Sequence, residues 1–298
     1  MIAEKLELTA EQEEILAHRS SGFPHTAWYV DYFRYAGGYV PWHWHQDVYI
    51  MWVMRGGVKV TTPHGSYVVH QGESAFINSN VMHLQESLPG THTVILGQVF
   101  DVSLIAGREH SVFETKYVLP IVQCRQLDVM VFRPNHPTHR QIIEAVCQAY
   151  NLADLQNPGY ELHVRNHLSE VWLLIYQEAS AILQEQPPRN YASEERLKIM
   201  VTYLHNHYYE KLTLEQIAAS VSVSQREVLR TFRKGLQTTP FQYLTEIRIR
   251  MACRLLRDTN RQITDIALDC GFSSASYFGK VFHEHMHTTP MEYRKNSG

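Results

Sequence analysis

Two groups of side chains in the 298-residue sequence have types and spacings that can do chemistry. The first is built on imidazole: His43 and His45 within Trp42-His43-Trp44-His45, then Tyr49, then His83. Neutral imidazoles ligate transition metals and hydrogen-bond small ligands. On a strand, period two puts His43 and His45 on one face and both tryptophans on the other. The second group is cationic. Arg226 and Arg230 are one helical turn apart, and a guanidinium can engage a guanine edge through two parallel donors. Arg230 and Lys280 each stand two residues before a phenylalanine, Phe232 and Phe282. No Ser-His-Asp set, nucleophilic cysteine motif or Gly-rich phosphate loop accompanies them, which argues against hydrolase or nucleotide chemistry.

The cations belong to a segment written twice. LEQIAASVSVSQREVLRTFRKGLQTTPFQYL from Leu214 aligns with ITDIALDCGFSSASYFGKVFHEHMHTTPMEYR from Ile263, with one residue added near Gly271-Phe272. Ile217-Ala218 matches Ile266-Ala267, and Thr239-Pro240 matches Thr289-Pro290. Each copy reads as helix, tight turn, helix. Thr213 with Gln216 and Ser224 with Glu227 have capping-box spacing in the first copy. The second lacks such boxes and has Gly271 at the turn, where a positive φ is easily adopted. Each second helix is followed by Thr as N-cap and Pro at the first helical position. In such grammar the second helix can enter a DNA major groove.

With these residues the segment resembles the C-terminal domain of the AraC family of bacterial transcription regulators, two helix-turn-helix units joined by a long helix. The resemblance is carried by Ile217-Ala218, Ser224, Leu229-Arg230, Phe232, Tyr243-Leu244 through Arg248-Ile249 to Leu255-Leu256, Ile266-Ala267, Gly271-Phe272, Tyr277-Phe278, Phe282, Pro290, Tyr293 and Arg294. It covers about a third of the chain. It implies base-facing positions at Arg226, Leu229 and Arg230 in the first unit and at Ala275, Ser276 and Lys280 in the second. Gln225 lies beside them, and Arg233, Lys234 and His283 are expected against phosphates. A solvated helix face is the competing reading for each. Gln237 and His287 stand where the family usually has Gly at a helix end, which leaves those two turns open.

Charge divides the same way. From Tyr191 onward there are 15 Lys and Arg against 11 Asp and Glu, and before it 12 against 19, within a formal net charge of -3. That places the phosphate-facing half at the C-terminus. Length predicts two domains. The four cysteines form no CxxC pair, no secretory leader pattern opens the chain, and no apolar run could span a bilayer, so cytoplasmic location with reduced thiols and no membrane association is the expectation.

From Thr26 to about Val102, short runs rich in Val, Ile, Tyr, Trp and Phe alternate with Gly and Pro turn signals, the texture of a β-sandwich or barrel. With the histidines it resembles the small β-barrel of cupins, which pairs with this type of DNA-binding domain as a sensor. In metal-binding cupins an HxH pair, a Glu and a later His converge inside the barrel. Here His43, His45 and His83 match and Tyr49 occupies the Glu position. Neutral Tyr is a poor substitute for a carboxylate. The expectation is therefore an effector pocket lined by His43, His45, Tyr49 and His83 with no cofactor, and metal ligation by the three histidines is the competing reading. Trp28, Tyr32 and Arg34 share a face at period two and form a second candidate set, with Tyr32 and Arg34 as effector contacts.

Residues 1–20 read as a helical arm, and Val102 to Val131 as barrel edge and crossing loops. Apolar steps of three and four then mark two helices either side of Asn157-Pro158-Gly159. In the AraC family such helices commonly form a dimer interface. The expected fold class is α+β multidomain, in four segments: a cupin-like effector-sensing domain with its arm over 1–137, a helical dimerisation segment over 138–186, a linker over 187–192, and an all-α double helix-turn-helix domain over 193–298. Ser193 should cap the first helix of that last segment, and the helix from Pro240 should run about 18 residues, or roughly 27 Å. Together these imply a homodimeric DNA-binding transcription regulator acting on promoter DNA and RNA polymerase, by activation or repression. Its small-molecule effector is expected to be a sugar or related metabolite. A metal-dependent cupin enzyme with an appended DNA-binding domain is the alternative.

Overall fold

The structure, a computed structural model, describes residues 2–3, 9, 13–16, 22–34, 38–124, 126–184 and 191–297. The chain forms two compact units that divide between Arg189 and Asn190.

Among the described residues, ten strands build the first unit: β1 Ile2–Ala3, β2 His25–Asp31, β3 Tyr39–His43, β4 Val48–Arg55, β5 Gly57–Thr62, β6 Gly65–His70, β7 Ser74–Ile77, β8 His83–Ser87, β9 Val94–Phe100 and β10 Val129–Phe132. They make a six-stranded sheet, β1-β2-β9-β4-β7-β10, and a four-stranded sheet, β3-β8-β5-β6. All pairings are antiparallel except β1 with β2. The sheets close on an apolar core in which Met51, Val53, Ile77, Ile95 and Val99 of the larger meet Val40, Val58, Val60 and Val69 of the smaller. Together the two sheets form a barrel.

Period two explains the layering. On β4, Tyr49, Met51 and Val53 point into the barrel, while Val48, Ile50 and Trp52 point the other way. That outer face is covered by helices, so the larger sheet is apolar on both sides. Of the segment expected to be barrel edge and crossing loops, about half is helical, and its last part is a strand at the edge of the larger sheet. It contains α1 Ser103–Ala106, a π-helical turn Glu114–Val118 and α2 Leu119–Val122, and only then the strand β10. Leu104, Val118 and Ile121 plug the covered face. Their spacing is too irregular to read as a period.

The helix pair follows as α3 Pro137–Leu155 and α4 Tyr160–Glu178, with α5 Ser180–Gln184 after it. Ile142, Val146 and Ala149 of α3 and Val164, Leu168, Val171, Trp172 and Ile175 of α4 are buried against Phe76, Phe100 and Phe132. Each fully buried large side chain contributes about 1.5–3 kcal/mol. Trp172 meets Phe76 and Phe100 edge-on at 6.1 and 6.4 Å and donates its indole hydrogen to the Tyr117 carbonyl at 3.0 Å. Gln98 bonds both His25 and the Val146 carbonyl, tying sheet to helix.

At the N-terminus the described residues do not form the expected helix. Residues 2–3 pair in parallel with Tyr29 and Val30, and Glu13 bridges Trp44. The backbone there finds partners on strand edges, which apolar spacing does not encode. The rest of that arm, and 187–190 of the expected linker, lie outside the described residues.

Among the described residues, the regular elements of the second unit are all helices: α6 Tyr191–Asn206, α7 Leu214–Ala219, α8 Gln225–Leu236, α9 Pro240–Asp258, α10 Ile263–Asp269, α11 Ala275–Met286 and α12 Pro290–Ser297. The expected linker end, 191–192, is thus already helical, and Ser193 sits inside α6 rather than capping it. Leu197, Met200, Val201 and Leu204 of α6 are buried, and α6 packs on α7, α8 and α9.

Candidate functional site

The two copies fold as equivalent helix-turn-helix units, α7-α8 and α10-α11. In the first, Thr213 and Gln216 form a complete capping box. The turn passes through Ser222 at φ 52°, and Val223 donates to the Ala218 carbonyl. In the second, Gly271 takes φ 77° and Phe272 donates to Ala267 in the same way. The added residue is Ser273, and the next residue, Ser274, caps α11 by accepting from the Tyr277 amide at 3.2 Å. The second copy is therefore capped after all, without a box. Thr239 with Gln242 and Thr289 with Glu292 close boxes at the starts of α9 and α12.

Inside each unit the apolar stripe is buried: Ile217, Val228 and Phe232 in one, Ile266, Phe278 and Phe282 in the other. Arg248 on α9 donates to the Tyr208 and Glu210 carbonyls, both at 2.7 Å, and Arg294 on α12 donates to the Leu256 and Arg261 carbonyls. These two arginines are structural staples. Gln237 and His287 both adopt the left-handed conformation, φ 54° and 55°, so the turns keep their usual form without glycine.

Opposite the stripe, Gln225, Arg226, Leu229, Arg230, Arg233 and Lys234 are all exposed on α8. On α11, Ser276, Lys280 and His283 are exposed and Ala275 is half-buried. Leu229, an apolar side chain 42% exposed on a charged face, has the character that meets a thymine methyl. Glu227 does not complete the box expected with Ser224. Ser224 accepts from the Glu227 amide, but the Glu227 carboxylate takes two bonds from Arg230, at 2.6 and 2.8 Å. Those hydrogen bonds hold the carboxyl below its ordinary range. Sequence reasoning assigned Glu227 to the cap and so missed its hold on Arg230, since spacing three serves both. Tyr277 is exposed beside Ser276.

In the barrel, His43, His45 and His83 come together, all buried. The His43 and His83 rings lie 4.1 Å apart between centroids, His45 and His83 5.2 Å, and His43 and His45 6.0 Å. Each Nδ1 is hydrogen-bonded to a backbone carbonyl: Pro41 at 2.7 Å, Asp47 at 2.7 Å and Val81 at 2.9 Å. A carbonyl only accepts, so each Nδ1 carries the proton and each Nε2 the lone pair. One ring nitrogen of each lies within 4.8 Å of the other two. Burial lowers His43 to about 3 and His83 well below the usual imidazole value, with the neighbouring imidazoles adding to both. The His83 Nε2 is buried with no protein partner, which costs about 1–3 kcal/mol. Buried, neutral, carbonyl-oriented imidazoles are the donor type a transition metal takes, so these residues fit such an ion.

Tyr49 stacks on His83 at 6.3 Å. A Cβ built on Gly97 would lie 2.8 Å from both the Tyr49 hydroxyl and the Trp28 indole nitrogen, so only glycine lets these two rings pack against β9. Trp28, Tyr32 and Arg34 do not share a face as expected. β2 ends at Asp31 and a 3₁₀ turn carries Tyr32–Arg34, which buries Tyr32, its hydroxyl donating to Gln85 at 2.7 Å, and leaves Arg34 exposed. Arg34 is therefore not a contact of the buried histidine cluster.

A helix-turn-helix domain model matches residues 217–296. The chain is 26% identical over 283 residues to YdeC of Bacillus subtilis strain 168, an uncharacterized HTH-type transcriptional regulator, covering 95% of this chain and 96% of the relative. It is 24% identical over 260 residues to the HTH-type transcriptional activator RhaS of Klebsiella pneumoniae strain 342, covering 84% and 86%. An AraC-type DNA-binding domain from Chromobacterium violaceum shares 35% identity over 37% of this chain and 97% of its own, with a TM-score of 0.35. On the doubled helix-turn-helix unit and relatives matched along nearly the whole chain, residues 217–296 form a helix-turn-helix domain and the protein is similar to HTH-type transcriptional regulators.

Proposed function

We propose that this regulator is a cytoplasmic homodimer that reads promoter DNA with α8 and α11 and answers to a small-molecule effector, a sugar or related metabolite, bound at the histidine end of the barrel. The observation that carries the DNA half is Arg230 and Lys280, exposed at the same place on two equivalent helices. A 19-residue α9 is about 28 Å long and suits presenting those helices to successive major grooves, roughly 34 Å apart. Ala275 and Ser276 are small, so the second unit would anchor and the first discriminate. Activation through RNA polymerase is the favoured output because relatives along most of the chain are named activators. No helix among the described residues is long and apolar enough to cross a membrane.

For dimerisation the partner-facing stripe would be Leu162 and Leu173, both exposed on α4. Leu168 and Ile175 are sealed against the barrel, so charging them would unfold it rather than separate a dimer. Footprinting on the promoters flanking the gene tests the DNA reading: a defined protected site is expected, and uniform binding to all duplexes would overturn it. Sedimentation of Leu162→Glu/Leu173→Glu tests the dimer, with monomers expected. The histidine cluster favours one second reading, a metal-dependent cupin enzyme; its relatives are named regulators, which weighs for the first.

A further inference from the structure

Gly279 stands inside α11, where glycine is costly, because it loses more backbone entropy on folding than alanine and packs nothing in return. Nothing within the protein accounts for it. A Cβ built there would meet no packing neighbour within 4 Å, and the backbone is not in the left-handed region. Gly97, Gly235 and Gly271 do have such reasons. A Cβ on Gly97 would meet the Trp28 and Tyr49 side chains, Gly235 of α8 is buried, and Gly271 combines a positive φ with a carbonyl at 2.6 Å.

The open space over Gly279 lies on the face of α11 that carries the exposed Ser276 and His283, three residues earlier and four later. Its counterpart on α8 is Leu229, 42% exposed, for each stands three residues before a buried phenylalanine, Phe282 or Phe232. The helices differ again at their third residue. There α8 has the Glu227 carboxylate, and α11 has neutral Tyr277, whose ring lies 6.2 Å from that of Phe272. A leucine side chain spaces a helix from whatever it faces, and a carboxylate is repelled by phosphates. At the matching places α11 has neither, so its backbone can come closer to a duplex.

What fits over a bare Cα is small and apolar. The major groove presents one such projection, the 5-methyl group of thymine. We propose that Gly279 is a specificity-determining position: with α11 in the major groove, the space over its Cα receives a thymine methyl group, which sets the register of the second unit on its site. This rests on the DNA reading above.

Gly279→Ala and the unaltered full-length chain are compared by fluorescence anisotropy on three kinds of duplex: the footprinted site, the same site with each thymine under the second unit replaced singly by deoxyuridine, and a scrambled sequence. Gly279→Ala should bind the thymine site about fivefold or more weakly and the scrambled duplex within about twofold of the unaltered chain. Its urea midpoint should rise, since alanine is the better helix former. At one position deoxyuridine should weaken the unaltered chain and bring Gly279→Ala to within about twofold of it, because a methyl removed from the base makes room for the methyl added to the helix. Equal affinity of the two proteins for the thymine site, an equal loss on scrambled duplex, a lower midpoint, or no deoxyuridine position that restores binding would each overturn the proposal while the footprint of the unaltered chain stands. Absence of that footprint overturns the DNA reading itself, and this proposal with it.

Discussion

Arg230 is held by Glu227, one turn earlier on α8, through two hydrogen bonds that use Nε and one terminal nitrogen. The corresponding cation of the second unit, Lys280, has its acid on the other side, Glu284 one turn later at 4.0 Å. A bidentate pair fixes a planar guanidinium, whereas a distant carboxylate leaves an ammonium mobile. The two units thus offer a rigid cation and an adaptable one.

This sets up opposite outcomes for two substitutions. Arg230→Ala should weaken specific DNA about tenfold or more and relax preference at one base pair. Glu227→Gln removes a negative charge facing phosphates, so binding to random duplex should strengthen while discrimination at the Arg230 base pair falls. Lys234→Ala should weaken all sequences alike and flatten the salt dependence. Fluorescence anisotropy with matched and scrambled duplexes across salt concentrations checks all three. Equal losses on both duplexes for Arg230→Ala would sink its assignment.

Gln237 and His287 hold left-handed conformations without the glycine that adopts them freely. The conformation costs an L-residue roughly 1–2 kcal/mol, and glycine gives back about 0.4–1 kcal/mol through the unfolded chain. Gln237→Gly and His287→Gly should each stabilise the second unit by about 0.5–1 kcal/mol. Urea midpoints measure this, and a fall in midpoint for either would show that the side chain contributes more than its backbone strain.

Those two positions also show what the sequence could and could not carry. Helix starts were legible because caps are local: Thr213, Ser224 and Thr239 act where their spacing put them. The left-handed ends were not, because surrounding packing imposed a conformation that Gln and His do not prefer. In the barrel, the HxH spacing brought His43 and His45 to one place even though β3 bulges between Val40 and His43. The fate of Arg34 was illegible. Whether β2 continues past Asp31 is decided by Tyr32 burying itself against Gln85, a residue 53 positions away. Glu227 was misread because a cap and an ion pair use the same three-residue step.

His205 ties pH to the stability of the second unit. It is buried on α6 with Nε2 3.0 Å from the Tyr243 hydroxyl, and burial followed by Arg250 lowers its pKa well below the ordinary value. The folded chain keeps it neutral while the unfolded chain takes up a proton near pH ~6.5. The unfolded state therefore binds more protons below that pH, and stability falls as pH drops through it. The loss should approach about 1.4 kcal/mol per pH unit below about pH 6. His205→Gln should flatten that slope in urea titrations run from about pH 7.5 down to about pH 5.5. An identical slope in both proteins would show that other groups govern acid unfolding.

Gly271 has no room for a side chain. Its φ of 77° disfavours any side chain, and a Cβ there would lie 2.6 Å from the Tyr208 carbonyl and 3.0 Å from the Arg248 guanidinium carbon. That guanidinium is bonded to the same Tyr208 carbonyl at 2.7 Å, so an added methyl group pushes against both ends of one hydrogen bond. Its counterpart, Ser222, tolerates φ 52° at the surface, exposed, with only the local turn to satisfy. Gly271→Ala should cost about 2–4 kcal/mol, the sum of left-handed strain and overpacking, whereas Ser222→Gly should be neutral or slightly stabilising. Thermal melts of the two variants decide it. If Gly271→Ala melts with the unaltered chain, Arg248 yields its place without cost and is not the staple described above.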